Sequence, residues 1–338
     1  MSSTHLRYLC FLLLGILTVL AVAPKAFSQS GGVYDLSWHT TDGGGTTSAT
    51  GGAYSLGGTI GQPDAGASSG GTYALTSGFW GIANLTPAVL ANISTRLLVG
   101  TGDNVLIGGF IVTGTQTKKV LIRAIGPSLP LAGVLADPTL ELYQGTTLLE
   151  SNDNWMDSPN KQAIIDSGAP PLNNLESAIV RSLAPGNYTA IERGVNNGTG
   201  IGVVEAYDLD TSANSKLANI STRGLVQTGD NVLFAGMIVV GQASQKVIIR
   251  ALGPSTGVPG AMADPTLELH DGNGALLEAN DNWVDSPNKQ AIIDSTIPPP
   301  NNLESAIVRT LTPANYTAIV RGANNSTGIA VVEVYALN

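Results

Sequence analysis

Cysteine is almost missing from this chain: its one copy, Cys10, lies in an apolar N-terminal run. The rest of the polypeptide therefore has neither a disulfide to staple it nor a thiol nucleophile, and it must be held by core burial, with bound metal as one available aid. Histidine is nearly as scarce, occurring at His5, His39 and His270. That scarcity matters because two copies of a module share no histidine, which removes a common Ser-His-Asp triad or His-ligated zinc site. Charged residues make up 12% of the chain and aromatics 5%, with 16 basic against 25 acidic side chains and a net charge of -9. A surface so poor in cations excludes nucleic acid and anionic membrane as partners.

What is present begins with His5 and Arg7 ahead of an apolar run from Tyr8 to Ala23, followed by Pro24 and the small-residue exit Ala26-Phe27-Ser28. This is the pattern of a secretory signal peptide over residues 1–28, with cleavage expected before Gln29. The run is about 16 residues, short of the roughly 20 that a spanning helix needs, so no membrane span is expected in the mature chain. Loss of Arg7 and Lys25 leaves 14 basic against 25 acidic residues, a net charge of -11.

Leu90 to Asp210 and Leu217 to Asn338 are one module written twice, identical at roughly 84 of 121 aligned positions, with Asn273 inserted in the second copy. A binding or spacer unit gains reach and avidity from repetition, whereas a catalytic site rarely needs two near-identical tandem copies. Within the first copy, apolar residues two apart mark eight strands: Ile93–Val99, Val105–Thr113, Lys119–Ile125, Thr139–Tyr143, Leu148–Asn152, Ser177–Leu183, Tyr188–Arg193 and Ile201–Leu209. Gly, Pro, Asn and Asp clusters separate them, and only Asn160 to Asp166 reads as a helix of about two turns. The expected fold is all-β: two tandem antiparallel sandwiches of jelly-roll type over residues 87–212 and 213–338. Residues 29–86, rich in Gly, Ser and Thr, read as a small β-meander with echoes at Tyr34, Tyr54 and Tyr73. Arg123, Arg193 and Glu205, with Arg250, Arg321 and Glu333 in the second copy, fall inside apolar strands, where a charge is costly unless paired. They are expected to form Arg–Glu ladders.

The stretches Asp137-Pro138-Thr139-Leu140-Glu141-Leu142-Tyr143, Leu148 to Asp153, Glu176-Ser177-Ala178-Ile179 and Pro185-Gly186-Asn187-Tyr188 resemble the bacterial pre-peptidase C-terminal type of β-sandwich. The second copy adds that family's Asp-x-x-Gly turn at Asp271-Gly272-Asn273-Gly274, which the first copy lacks. The whole module is also similar to repeats in secreted proteins of environmental bacteria. These resemblances imply an accessory, non-catalytic extracellular domain and name no ligand.

The richest polar cluster is Asn152-Asp153-Asn154-Trp155-Met156-Asp157-Ser158, repeated as Asn280-Asp281-Asn282-Trp283-Val284-Asp285-Ser286. Asp and Asn oxygens this close on a loop can wrap Ca²⁺, which takes six to eight oxygens in flexible geometry. The metal candidates are Asp153, Asp157 and Glu176, with Asp281, Asp285 and Glu304. The competing reading is a network of Asx turns in which Asp153 and Asn154 cap backbone amides. Trp155 with Asn154, and Trp283 with Asn282, form candidate sugar platforms, set against the alternative that each indole plugs a core and gives its N–H to a carbonyl. Lys119 and Lys246, in apolar strands, are candidates for amide cross-links to Asn. Carboxylate pairs such as Asp153 with Asp157, or Glu176 with Asp166, are the weakest reading, a glycosidase-like pair. The function expected is a secreted, non-enzymatic adhesion or matrix-type module, calcium-stabilised, whose partner is an extracellular polysaccharide or surface protein. A carbohydrate-binding module and an envelope spacer are the alternatives.

Overall fold

A computed structural model describes residues 29–31, 34–36, 45–51, 54–59, 66–70, 73–77, 88–211 and 213–337. The expected signal peptide lies outside them. The chain divides into two units, 1–85 and 86–338. In the first, Gln29–Gly31 pairs with Tyr34–Leu36, Gly45–Gly51 with Tyr54–Thr59, and Gly66–Gly70 with Tyr73–Ser77. Among the described residues these are three separate two-stranded sheets, not the continuous meander expected. Each tyrosine echo supplies the second strand of a hairpin.

The second unit is an antiparallel β-sandwich whose strands fall where the apolar alternation puts them. In the first repeat, β1 is Val89–Val99, β2 Leu106–Gly114, β3 Lys118–Ile125, β4 Pro138–Gln144, β5 Thr147–Asn152, β6 Ser177–Leu183, β7 Gly186–Gly194 and β8 Gly200–Asp208. In the second, β9 is Ser215–Val226, β10 Leu233–Val240, β11 Gln245–Leu252, β12 Pro265–Asp271, β13 Leu276–Asn280, β14 Ser305–Leu311, β15 Ala314–Gly322 and β16 Gly328–Leu337. The period of two is visible in β2, where Leu106, Gly108, Phe110 and Val112 turn inward and their neighbours do not. Helices α1 (Lys161–Asp166) and α2 (Lys289–Asp294) occupy the one helical stretch read in each copy. The extra Asn273 is absorbed at a hairpin tip, where the Asp271 carboxylate accepts from the Asn273 and Ala275 amides, both at 2.9 Å. The flanking strand register is therefore kept.

The repeats differ from two beads on a string. One sheet runs β5-β4-β7-β2-β9-β16-β11-β14 and the other β6-β3-β8-β1-β10-β15-β12-β13, so each sheet takes four strands from each repeat. The joints are β2 against β9, with Phe110 opposite Ile220, and β1 against β10, with Arg96 opposite Phe234. The Arg96 guanidinium lies 3.7 Å from the centre of the Phe234 ring. A single apolar core follows, in which Phe110, Leu140 and Tyr188 belong to the same cluster as Met237, Leu267 and Tyr316.

Equivalent residues of the two repeats touch at the middle of this core. The buried hydroxyls of Thr95 and Thr222 are 2.7 Å apart. Two residues further along the same strands, Leu97 fills the space in front of Gly224, where any Cβ would collide with its Cδ2. Contacts between self-equivalent positions define a pseudo-two-fold axis running along β1 and β9 between the sheets. The interface is that of a symmetric dimer made within one chain.

Charged groups secure the periphery. Arg123 and Glu205 stand opposite each other on β3 and β8, with Nε to carboxylate at 2.9 Å, and Arg250 and Glu333 repeat the pair at 3.0 Å. The expected pairing thus holds at Arg123 and Arg250, and Arg193 reaches Glu141 at 3.6 Å, while none of the ion pairs among the described residues involves Arg321. At the outer edges Arg181 of β6 crosses to the Leu149 carbonyl and the Glu150 carboxylate of β5, and Arg309 does the same to Leu277 and Glu278. Lys119 and Lys246 are exposed, which removes the sheltered setting an amide cross-link needs. The buried lysine is Lys118, ion-paired with Asp208 at 2.9 Å and bonded to the Asp210 carbonyl, pinning the start of the inter-repeat linker.

Candidate functional site

The Asn-Asp-Asn-Trp loop leaves edge strand β5 and returns across the outer face of β3 and β6. Its anchor is the tryptophan. Trp155 is 8% exposed and packs with Leu121, Ile164, Ala178 and Val180 beneath α1. Its indole donates to the Asn173 carbonyl at 3.0 Å, and Trp283 donates to Asn301 at the same distance. Trp283 is half-buried against the cluster of Ile248, Ile292, Ala306 and Val308. The sugar-platform reading of Trp155 and Trp283 is corrected by this packing, since each ring is committed to its own small cluster, one on the outer face of each sheet.

Glu176 and Glu304 are also not what their position before a strand implied. Glu176 is fully buried, and its carboxylate accepts from the amides of Gly126, Ser128 and Asn173 at 2.9–3.1 Å and from the Ser128 hydroxyl. Glu304 repeats all four bonds with Gly253, Ser255 and Asn301. A carboxylate holding four donors ties two loops to the head of a strand and has little capacity left for a metal. Both are therefore clamps and not metal ligands. Asp157 and Asp285 are exposed at the ends of the short turns Trp155–Asp157 and Trp283–Asp285, and Asp153 and Asp281 are exposed beside them.

The Asx-turn reading of Asp153 and Asn154 is corrected: the Asn154 oxygen caps no amide, and the loop is braced from its preceding residue. Asn152, not Asp153 or Asn154, does the capping: its Oδ1 accepts from the Ala178 amide at 2.8 Å and its Nδ2 donates to the Asn154 carbonyl at 3.1 Å. Asn280 makes the same two bonds. The side-chain oxygen of Asn154 is left buried without a partner, and so is that of Asn282.

A residue not selected from the sequence completes this corner. Asp137 precedes Pro138 at the head of β4, and the Ser177 hydroxyl lies within hydrogen-bond reach of both the Pro138 and Asp153 carbonyls, drawing the two segments together. Asp137 Oδ1 is buried and unpartnered, as is Asp264 Oδ1 in the second copy. Burial first, and then the negative charge of Asp153, raise the Asp137 carboxyl above its ordinary range; Asp281 does the same to Asp264. Among the described residues no three of His, Cys, Asp and Glu converge as a metal site. Asp153 is thus the charged neighbour of Asp137, and carboxylate oxygens are the ligand type a hard cation takes. The available signal was the recurrence of Ala-Asp-Pro in both copies.

No protein-family model and no curated protein matches the chain. Among solved structures it is similar to a chain in the atomic structure of Sulfolobus turreted icosahedral virus, at 10% identity and a TM-score of 0.20 over 74% of this chain and 89% of that one. It is similar to the same degree to a DUF4785 family protein from Legionella pneumophila, at 10% identity and a TM-score of 0.21 over 75% and 80%. Likenesses this slight carry no argument about function.

Proposed function

We propose that the chain is an extracellular, non-enzymatic binding module of adhesion or matrix type in which Ca²⁺ stiffens the two outer corners of a fused sandwich. One observation carries the calcium part. Asp137 Oδ1 and Asn154 Oδ1, and in the second copy Asp264 Oδ1 and Asn282 Oδ1, are each buried without a donor, and Asp153 and Asp281 lie near enough to Asp137 and Asp264 to repel them. A buried acceptor with no donor costs on the order of 1–3 kcal/mol, and a bound cation removes that cost while relieving the repulsion between paired carboxyls. Export is supported by the apolar leader and by the absence of cysteine beyond it.

The shared sheets favour a structural component to this role. With strands spaced by about 4.8 Å, the two corners stand on the order of 30 Å apart across a body with one core. A repetitive polysaccharide or surface protein meeting both corners gains avidity only where its own repeat matches that span.

The test is thermal melting of the full mature chain in EDTA and in excess Ca²⁺, alongside the double variant Asp137→Ala/Asp264→Ala. Saturation at about 100 times Kd stabilises by about 2.7 kcal/mol per site. For a body of this size that corresponds to a rise of roughly 5–10 °C per site, absent in the double variant. A wild-type melting temperature indifferent to both EDTA and Ca²⁺ ends the calcium reading.

A further inference from the structure

Among the described residues, Glu192 is the one buried charged residue whose side chain has nothing to answer it. It points inward from β7, fully buried, and neither carboxylate oxygen has a partner. Its register neighbours are Leu140 on β4 and Leu106 on β2. From the facing sheet the backbone of Gly202 on β8 comes so close that a Cβ there would collide with the carboxylate. By contrast Lys118 has Asp208, and Glu176 and Glu304 each hold four donors.

The second repeat carries Val320 and Ala330 at the two equivalent positions, both buried. The exchange is paired: in one copy a long acid faces a glycine, in the other a shorter apolar chain faces a methyl. Room has been kept for a carboxyl in the first repeat, without any donor for it.

A neutral carboxyl can stay in such a place, but an ionised one cannot, because an uncompensated charge in the interior costs far more than a neutral polar group. The charged groups around it act in the same direction. Burial pushes the Glu192 carboxyl well above the ordinary glutamate range, and the carboxylates of Glu176 and Glu205 add to the push. Glu205 is itself neutralised by Arg123, and Glu176 by loop amides. β4 and β2 present only leucines to it.

We propose that Glu192 is a proton-held latch: the first repeat stays closed while this carboxyl keeps its proton and opens when base removes it, leaving the second repeat closed. The device is independent of calcium. Above the ordinary glutamate range the folded body holds one proton more than the unfolded chain, so stability falls as pH rises. The loss continues until the carboxyl ionises in the folded state. In that window each pH unit multiplies the open population of the first repeat by about ten.

Amide hydrogen exchange read by mass spectrometry on the full mature chain in EDTA, from pH 5 to 10 and corrected for intrinsic rate, tests this. Peptides covering residues 186–208 are expected to lose protection as pH rises relative to peptides covering 314–337. Glu192→Gln, which keeps the shape and cannot titrate, is expected to abolish the divergence, and Val320→Glu with Ala330→Gly to transfer it to the second repeat. Equal pH dependence of the two repeats in the wild type overturns the proposal, as does a divergence that survives in Glu192→Gln. Should the transfer variant fail to fold, infrared spectroscopy decides: as pH is raised from 5, the band of a protonated carboxyl is expected to persist in the wild type beyond the ordinary glutamate range and to be missing from Glu192→Gln, and its loss within that ordinary range refutes the latch.

Discussion

Exchanging Leu97 and Gly224 across the pseudo-two-fold axis tests the fused architecture directly. Leu97 is 1% exposed and occupies the space in front of Gly224, its own counterpart in the other repeat. Leu97→Gly empties that space. A buried leucine cut to alanine costs about 2.7–5 kcal/mol, and a glycine inside a strand adds about 0.5–1. Gly224→Leu alone drives a second side chain into the first, an overpacking cost of about 1–3 kcal/mol or more. Additive behaviour puts the double variant about 4–9 kcal/mol below wild type. Because the site lies on the axis, the swapped leucine is expected to fill from the other side nearly the same volume that Leu97 vacates, returning the double variant to within about 2 kcal/mol. Urea denaturation of the four proteins, with unchanged m values, closes the cycle. Additive losses in the double variant would refute the shared core, since residues in independent domains do not couple.

Two further outcomes follow from the loops. Glu176→Ala strands three amides and a hydroxyl and is expected to cost about 3–5 kcal/mol by chemical denaturation, with Glu304→Ala costing the same to within about 1; a loss below about 1 in both removes the clamp. Thr296 holds φ at 66°, where the first repeat has Gly168 at 76°. Thr296→Gly is therefore expected to raise stability by about 1 kcal/mol, and a measured loss would show that its strain is compensated elsewhere.

Strands such as β2, β4 and β10 were legible because they bury alternate residues, β3, β6 and β8 because they are short apolar runs covered on both faces, and the Arg–Glu pairs because charges in apolar strands must meet an opposite charge. The joining of the sheets was not legible. An inward-facing pattern in β1 and β2 is the same whether their edges pair within a repeat or across to the next. The trace of the joint lies in the differences between copies: Leu97 against Gly224 reports a contact between equivalent positions, and Glu192 with Gly202 against Val320 with Ala330 reports two residues facing across the core. Two of the candidate metal residues, Glu176 and Glu304, were misread for a related reason. An acid at the head of a strand is equally able to bind a cation or to gather amides, and burial decided for amides at Glu176. Asp137 was passed over because a lone aspartate before proline has no partner nearby in sequence, and its neighbour Asp153 comes from the far end of the β4–β5 hairpin.

The way the halves join also sets a parity. Each repeat spends its β1 and β2 edges on its twin, and its remaining edges are crossed by Arg181 or Arg309. A third copy appended to such a gene product would find no counterpart and would expose two sticky strand margins. Longer relatives built from this unit should therefore lengthen by twos.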